Sequence, residues 1–231
     1  LLLLAGKPMI VHVCERALEA GGDVFVATDD LRIVEAVSGL PVKAVMTRKD
    51  HPSGTDRITE VADLEKWPDE TVVVNLQGDE PLMQPLLIRD LAKALAEDVQ
   101  ASVATLAAPI EQANELFDPN AVKVVSDQQG HALYFSRAPI PWDRDHFKDH
   151  RDTLPDPGPW RRHIGIYAYR AGFLRRYVSW PASPLERIEA LEQLRVLWQG
   201  EKIRVMTIPE APHAGVDTPE DFERVSRLLS R

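Results

Sequence analysis

Short apolar runs of β type alternate with amphipathic stretches through the first half of the chain, and this alternation constrains the fold more than any other feature. Residues 24–27, 42–46, 71–76 and 102–107 read as strands. Between them residues 31–37, about 55–66 and 85–96 carry apolar side chains at helical spacing. Strands joined through helices lie parallel, with the helices covering the sheet. Ahead of them residues 1–4 read as a short buried strand. Gly6-Lys7-Pro8 then opens a helix with Met9, Ile10, Val13, Cys14, Ala17 and Leu18 on one face, and Gly21-Gly22 ends it. The expected class is α/β, a mostly parallel Rossmann-like sheet flanked by helices.

The rhythm changes past residue 120. Residues 121–125 and 131–135, separated by a polar segment ending in Gly130, have the pattern of an antiparallel hairpin. Residues 139–160 are dense in proline, charge and aromatics and read as a long exposed loop lying over a site or against a second subunit. Strand 164–169, a short helix at 173–178, a longer one at 184–199, strand 203–208 and a helix after Pro219 return the chain to the core.

Composition narrows the class further. The 231 residues suit a single domain carrying a projecting arm, and a net charge of −9 argues against a broad nucleic-acid or anionic-membrane footprint. Cys14 is the lone cysteine, so no intrachain disulfide is expected, and its helical face makes it a core residue. No apolar run approaches the roughly 18 residues that span a bilayer, and residues 1–4 lack the charged leader and long apolar region of a signal peptide. No nucleic acid and no membrane insertion are expected, and the default location is the cytoplasm.

Two acidic turns carry the chemistry. In Val74-Asn75-Leu76-Gln77-Gly78-Asp79-Glu80-Pro81 a strand stops at glycine and a proline closes the turn, leaving Asp79 at the strand's carboxyl end, where open α/β sheets bind ligands. Asp217, in Gly215-Val216-Asp217-Thr218-Pro219-Glu220, sits at another strand-to-helix junction. Read singly, each is an ordinary turn or helix cap. Two carboxylates over one rim suggest a divalent metal and a phosphorylated substrate. Gly6-Lys7-Pro8 is not a phosphate loop, because proline replaces the hydroxyl residue after the lysine.

Ser53-Gly54-Thr55-Asp56-Arg57 opens a helix with small and hydroxylated residues, so free amides and Arg57 could meet a nucleotide; a plain capped helix with a solvated arginine is the equal alternative. Arg137, His163, Tyr167, Glu189 and Gln193 form a looser set. His163 and Tyr167 fall on one strand face, and Glu189 and Gln193 on one face of the expected helix at 184–199. A cation, an imidazole, a phenol and a carboxylate suit an acidic, hydroxyl-rich sugar. Surface placement is the blander reading.

Taken in order, Gly6-Lys7-Pro8-Met9-Ile10, Ala27-Thr28-Asp29, Met46-Thr47-Arg48 with Ser53 to Arg57, the Asp79 turn, Phe117-Asp118-Pro119-Asn120, Tyr134-Phe135-Ser136-Arg137, Pro139-Ile140-Pro141-Trp142, His163-Ile164-Gly165-Ile166-Tyr167 and the Asp217 turn resemble one family, the 3-deoxy-manno-octulosonate cytidylyltransferases, also called CMP-Kdo synthetases. The match runs nearly the whole length. It implies a Mg²⁺-dependent enzyme joining CTP and Kdo into CMP-Kdo with release of pyrophosphate, for lipopolysaccharide. It also implies a nucleotidyltransferase sheet over residues 1–231 with a dimerisation arm at about 118–165, and hence a homodimer. By position Asp79 and Asp217 fall on the metal-binding, catalytic aspartates. Ser53, Thr55, Arg57 and Gln77 fall where CTP is held, and Arg137, His163, Tyr167, Glu189 and Gln193 where Kdo is expected.

The residues make that chemistry coherent. Kdo's anomeric hydroxyl attacks the α-phosphorus of CTP, and the charge that develops is neutralised by metal and cations, so no dedicated base is named. Family members begin with a strand and an arginine-, serine- and glycine-containing loop around the triphosphate, and that segment is expected to be missing before Leu1. The competing expectations are a cytidylyltransferase for another acidic sugar, such as a sialic acid, and a non-catalytic nucleotide- or sugar-binding protein on the same fold.

Overall fold

The computed structural model of the chain describes residues 1–155 and 158–230. Strands β1 (Leu3–Leu4) and β2 (Lys7–Pro8) pair antiparallel around Ala5 and Gly6, which take positive φ, and lead into α1 (Met9–Ala20). The buried strand expected at residues 1–4 is thus cut to two residues. Leu1, Leu2 and Leu3 are each more than half exposed and only Leu4 enters the core, because the turn at Ala5-Gly6 folds this edge back onto β2 alone. Gly21 and Gly22 end α1 at φ of 90° and 87°, a region that side chains disfavour. As expected for a core residue, Cys14 is buried, and burial, then Glu15, pushes its thiol up to about 11.

Next come β3 (Phe25–Thr28), α2 (Leu31–Val37) and β4 (Lys43–Met46), a βαβ unit whose strands run parallel. Helix α3 (Gly54–Leu64), β5 (Val72–Asn75), α4 (Pro85–Glu97) and β6 (Ala101–Pro109) continue the alternation. A short helix, α5 (Ala113–Phe117), precedes the expected hairpin of β7 (Lys123–Ser126) and β8 (Ala132–Ser136). The chain closes with β9 (Arg161–Arg170), α6 (Ala171–Tyr177), α7 (Pro184–Glu189), α8 (Gln193–Trp198), β10 (Lys202–Thr207) and α9 (Pro219–Leu229).

The central sheet has the order β10-β6-β9-β7-β8, with β5 also paired to β9. Strands β5, β6, β7 and β10 all run one way, since β10 is parallel to β6 and β9 is antiparallel to the other three. The α/β architecture with helices against a mostly parallel sheet is therefore formed, and β9 and β8 are its reversed members. Strand β6 is buried on both faces: Ala104 and Leu106 pack with Ile88, Leu91 and Leu95, whereas Val103 and Ala107 pack with Tyr169, Phe173 and Leu194. This explains its nearly unbroken apolar sequence.

Two further expectations change. The helix expected at 184–199 is broken at Ala190, which takes a left-handed conformation (φ 51°, ψ 50°). The two halves fold back so that Leu191 and Leu194 both reach the core, and Arg195 of α8 donates from Nε to Glu186 of α7 at 2.8 Å. Glu189 and Gln193 consequently do not share a helix face. The segment 139–160 is irregular as expected but not simply exposed: Phe147 and Trp160 are buried with Ile110 and Leu116, and the indole of Trp160 donates to the Pro141 carbonyl at 2.8 Å. Positions 156 and 157 of that segment lie outside the described residues.

Candidate active site

The two acidic turns, more than 130 positions apart, meet. The amide of Val216 donates to the carbonyl of Asp79 at 2.9 Å. A Cβ added at Gly215 would sit 2.8 Å from that same carbonyl oxygen and 3.1 Å from Glu80 Oε1, so only glycine permits so close an approach. The capping position of α9 falls to Thr218, whose hydroxyl accepts from the Asp221 amide at 3.2 Å while Asp221 bonds back. Asp217 is thereby left out of the cap, exposed beside the Asp79 turn. Arg224 of α9 donates to the carbonyls of Ala214 and Gly215 at 2.9 and 3.1 Å and holds this loop in place.

The electrostatics of this rim are those of crowded anions. Burial and then the charge of Asp217 raise Asp79, against one backbone hydrogen bond that lowers it. Glu80 is pushed up to about 7, first by burial and then by Asp79 and Asp217. Asp79 Oδ1 is buried with no hydrogen-bond partner among the described residues, although a carboxylate oxygen so placed ordinarily has one. Among those residues no group of three or more His, Cys, Asp or Glu side chains is arranged to hold a metal. A hard ion that keeps its waters and takes one or two carboxylates together with phosphate oxygens needs no such cage, and this donor set fits Mg²⁺.

Beside this rim a cavity of about 1210 Å³ lies between the separate β3–β4 pair and the central sheet, lined on one side by β3 and α3 and on the other by β5 and β9. Gly78 lines it and Asp79 follows in sequence. Thr55, Arg57 and Gln77, expected on the nucleotide side, and His163, Tyr167 and Gln193, expected on the sugar side, all line this one cavity. Ser53 is the N-cap of α3, accepting from the Asp56 amide at 3.3 Å and donating to Asp56 Oδ2 at 2.6 Å. Arg57 is not a solvated arginine. It donates to Thr47 Oγ1 at 2.6 Å and pairs with Asp29 at 3.2 Å. The loop that presents Thr47 is pinned to α3 by Glu60, which accepts from the Arg48 amide at 3.0 Å and contacts the His51 ring.

His163 and Tyr167 share one face of β9, with ring centroids 5.4 Å apart, and Tyr169 and Phe173 extend the row of rings toward α6. Burial, then Arg162, lowers His163 to about 3, so its ring is neutral. Arg137 and Glu189 are placed differently: they hold each other and the backbone. The Glu189 carboxylate accepts from the Ser136 hydroxyl at 2.7 Å and the Arg137 amide at 2.9 Å. The Arg137 guanidinium donates to the carbonyls of Glu189, Pro119 and Ala190 at 2.7, 3.0 and 3.5 Å.

Two contributors escaped the sequence. Lys123 is fully buried and donates to the carbonyls of Asp118 and Arg137 at 2.8 and 2.6 Å, tying the hairpin to the Arg137 segment. Thr105, also fully buried, meets His163 Nε2 at 3.0 Å. The available signals were a lone lysine inside the apolar run 121–125 and a threonine in the middle of the largely apolar strand 102–107.

Residues 1–203 match the cytidylyltransferase family. A 3-deoxy-manno-octulosonate cytidylyltransferase from Methylococcus capsulatus is 60% identical over all of this chain and 90% of its own length. One from Erwinia tasmaniensis is 56% identical over 97% of this chain and 90% of its length. Among solved structures, CMP:2-keto-3-deoxy-manno-octonic acid synthetase complexed with CTP superposes with a TM-score of 0.88 at 43% identity, covering 100% of this chain and 90% of that one.

Proposed function

Since the chain belongs to the cytidylyltransferase family, we infer that it transfers the cytidylyl group of CTP to 3-deoxy-manno-octulosonate, giving CMP-Kdo and pyrophosphate for lipopolysaccharide biosynthesis. The anomeric hydroxyl of the sugar acid forms a bond to the α-phosphorus as the bond from that phosphorus to the bridging oxygen breaks, and pyrophosphate leaves with that oxygen. One observation carries the assignment of the site: the nucleotide-side and sugar-side residues line a single cavity beside the rim where Asp79 and Asp217 approach.

Our reading gives each side chain one task. Arg57, held straight by Thr47 and Asp29, presents charge to the nucleotide's phosphates or ribose, with Thr55, Gln77 and the free amides after Ser53 completing that side. His163, Tyr167 and Gln193 receive the sugar, while Arg137 and Glu189 keep that wall rigid through their mutual clamp. Asp79 and Asp217 would hold Mg²⁺. Bound there, the ion would lower the pKa of the attacking hydroxyl and offset charge on the phosphates. The unpaired Asp79 Oδ1 supports this role, because a buried lone pair without a donor is relieved by a cation.

No helix among the described residues is long and apolar enough to cross a membrane. The use of CTP supports a cytoplasmic enzyme. We also place the arm at about 118–165 at the interface of a homodimer. Trp142 on that arm is half-exposed over the buried aromatic cluster, which supports contact with a second chain. Incubation with CTP, Mg²⁺ and either 3-deoxy-manno-octulosonate or a sialic acid, following pyrophosphate, tests the assignment. Release with the former alone is expected, and no release with it would overturn the reading.

A further inference from the structure

The pairs Thr105 with Tyr167 and Leu106 with Ile164 are successive on β6 but three residues apart on β9, so Gly165 and Ile166 bulge out of the ladder. A bulge leaves backbone carbonyls without their cross-strand amides. Thr105 Oγ1 occupies the space opposite, 3.1 Å from the Ile164 carbonyl and 2.8 Å from the Ile166 carbonyl. The same oxygen lies 3.0 Å from His163 Nε2.

A threonine hydroxyl has one proton and two lone pairs. Two carbonyl oxygens at these distances can only be tolerated if that proton points at them, since otherwise lone pairs would face lone pairs in a fully buried position. Oγ1 is then an acceptor toward the imidazole, and Nε2 must carry the hydrogen. Nδ1 becomes the ring's lone pair. Nδ1 bonds no described residue and is not sealed from solvent, and the His163 ring lines the cavity. Gly165, between His163 and Tyr167 on the cavity face, has open space where a Cβ would be, which leaves room for a ligand against the two rings.

We propose that Thr105 is a positioning residue that fixes His163 as its Nε2–H tautomer, so that Nδ1 accepts a hydrogen bond from a hydroxyl of the sugar substrate and does not contact its carboxylate. This rests on the function proposed above and assigns polarity within that site. A lone pair attracts O–H donors and repels carboxylate oxygens. The tautomer therefore selects which edge of an acidic sugar faces β9. The low proton affinity that burial imposes on this ring agrees with a neutral acceptor.

The test begins with the free protein, labelled with ¹⁵N at its histidines, in a long-range proton–nitrogen spectrum assigned by comparison with His163→Gln. His163 is expected to show a protonated Nε2 and an unprotonated Nδ1, as one population. A protonated Nδ1 or a mixture of tautomers in the wild type overturns the proposal whether or not any variant folds. Thr105→Ser, which keeps the hydroxyl, should retain this signature and kinetic constants within about threefold of the wild type. Thr105→Val should show mixed tautomers and a KM for 3-deoxy-manno-octulosonate raised roughly tenfold, the scale of one lost hydrogen bond, with the KM for CTP nearly unchanged. An unaltered tautomer and unaltered sugar KM in a folded Thr105→Val would refute it. The spectrum needs no turnover, so failure of the tautomer and failure of the substrate assignment are separate results.

Discussion

The backbone amide of Val216 donates to the carbonyl of Asp79 at 2.9 Å, and this single bond joins two carboxylate-bearing turns more than 130 positions apart in the chain. Asp79→Asn and Asp217→Asn should each lower turnover by about a hundredfold or more, because the loss falls on charge stabilisation in the transition state. Pyrophosphate release measures this. Thermal unfolding without metal should leave Asp79→Asn at least as stable as the wild type, since one of three crowded carboxylates is neutralised. Near-normal turnover in either variant would remove that residue from the site.

Gly215 is where the two turns come closest. Gly215→Ala places a methyl group 2.8 Å from the Asp79 carbonyl oxygen, a contact with backbone that no side-chain rotation relieves. The loops must separate, so the concentration of Mg²⁺ giving half-maximal rate should rise by about tenfold, as expected for a misplaced ligand shell, while circular dichroism stays that of the wild type. An unchanged metal requirement would mean that the proximity of these turns is architectural only.

Arg57 differs from a surface arginine because Thr47 and Asp29 fix its direction. Arg57→Ala should raise the KM for CTP by roughly ten- to a hundredfold, the range for a lost charge-assisted bond to phosphate, and leave that for the sugar acid little altered. Arg57→Lys should rescue poorly, since a lysine cannot satisfy both anchors and a ligand from one planar group. A shift in the sugar's constant instead would reassign Arg57 to the other half of the cavity.

Much of this fold was legible because alternation of strand and helix is a local property, and 31–37 and the start of the 85–96 helix fall where spacing and caps put them. The break at Ala190 was not. Residues 184–199 keep helical apolar spacing without glycine or proline after the first turn, and the interruption comes from tertiary packing that draws Leu191 and Leu194 into the core while Arg195 reaches Glu186. The same reason separates the site residues. Asp79, Asp217, His163 and Gln193 were recognisable as types in suitable turns and faces, whereas the clamp between Arg137 and Glu189 depends on that helix break. The task of Thr105 depends on a bulge in a strand nearly sixty residues away. Neither leaves a periodic trace in the sequence.

The clamp predicts a stability phenotype. Glu189→Ala strips the acceptor from the buried Ser136 hydroxyl and the half-buried Arg137 amide, so unfolding free energy should fall by about 1–3 kcal/mol. Denaturant titration measures this. Catalysis should decline along with it through a higher KM for the sugar acid. A variant of full stability and raised KM would show instead that Glu189 touches the substrate directly.

His163 sets the last expectation, on pH. Burial holds its folded-state value at about 3, whereas an unfolded histidine titrates near 6.5 (about 6.5 for model peptides). The unfolded chain therefore takes up this proton first as pH falls. Stability contributed by the neutral ring is fully present above the unfolded value, and it is lost progressively down to about 3, where both states are protonated. Urea midpoints at neutral pH and at roughly pH 5, inside this window, should fall more steeply for the wild type than for His163→Gln, which carries no titrating ring. Other groups titrate equally in both proteins, so the difference between the two slopes isolates His163. Parallel slopes would mean that the imidazole is protonated in the folded protein, and with that its place as a neutral acceptor on the cavity wall would fall.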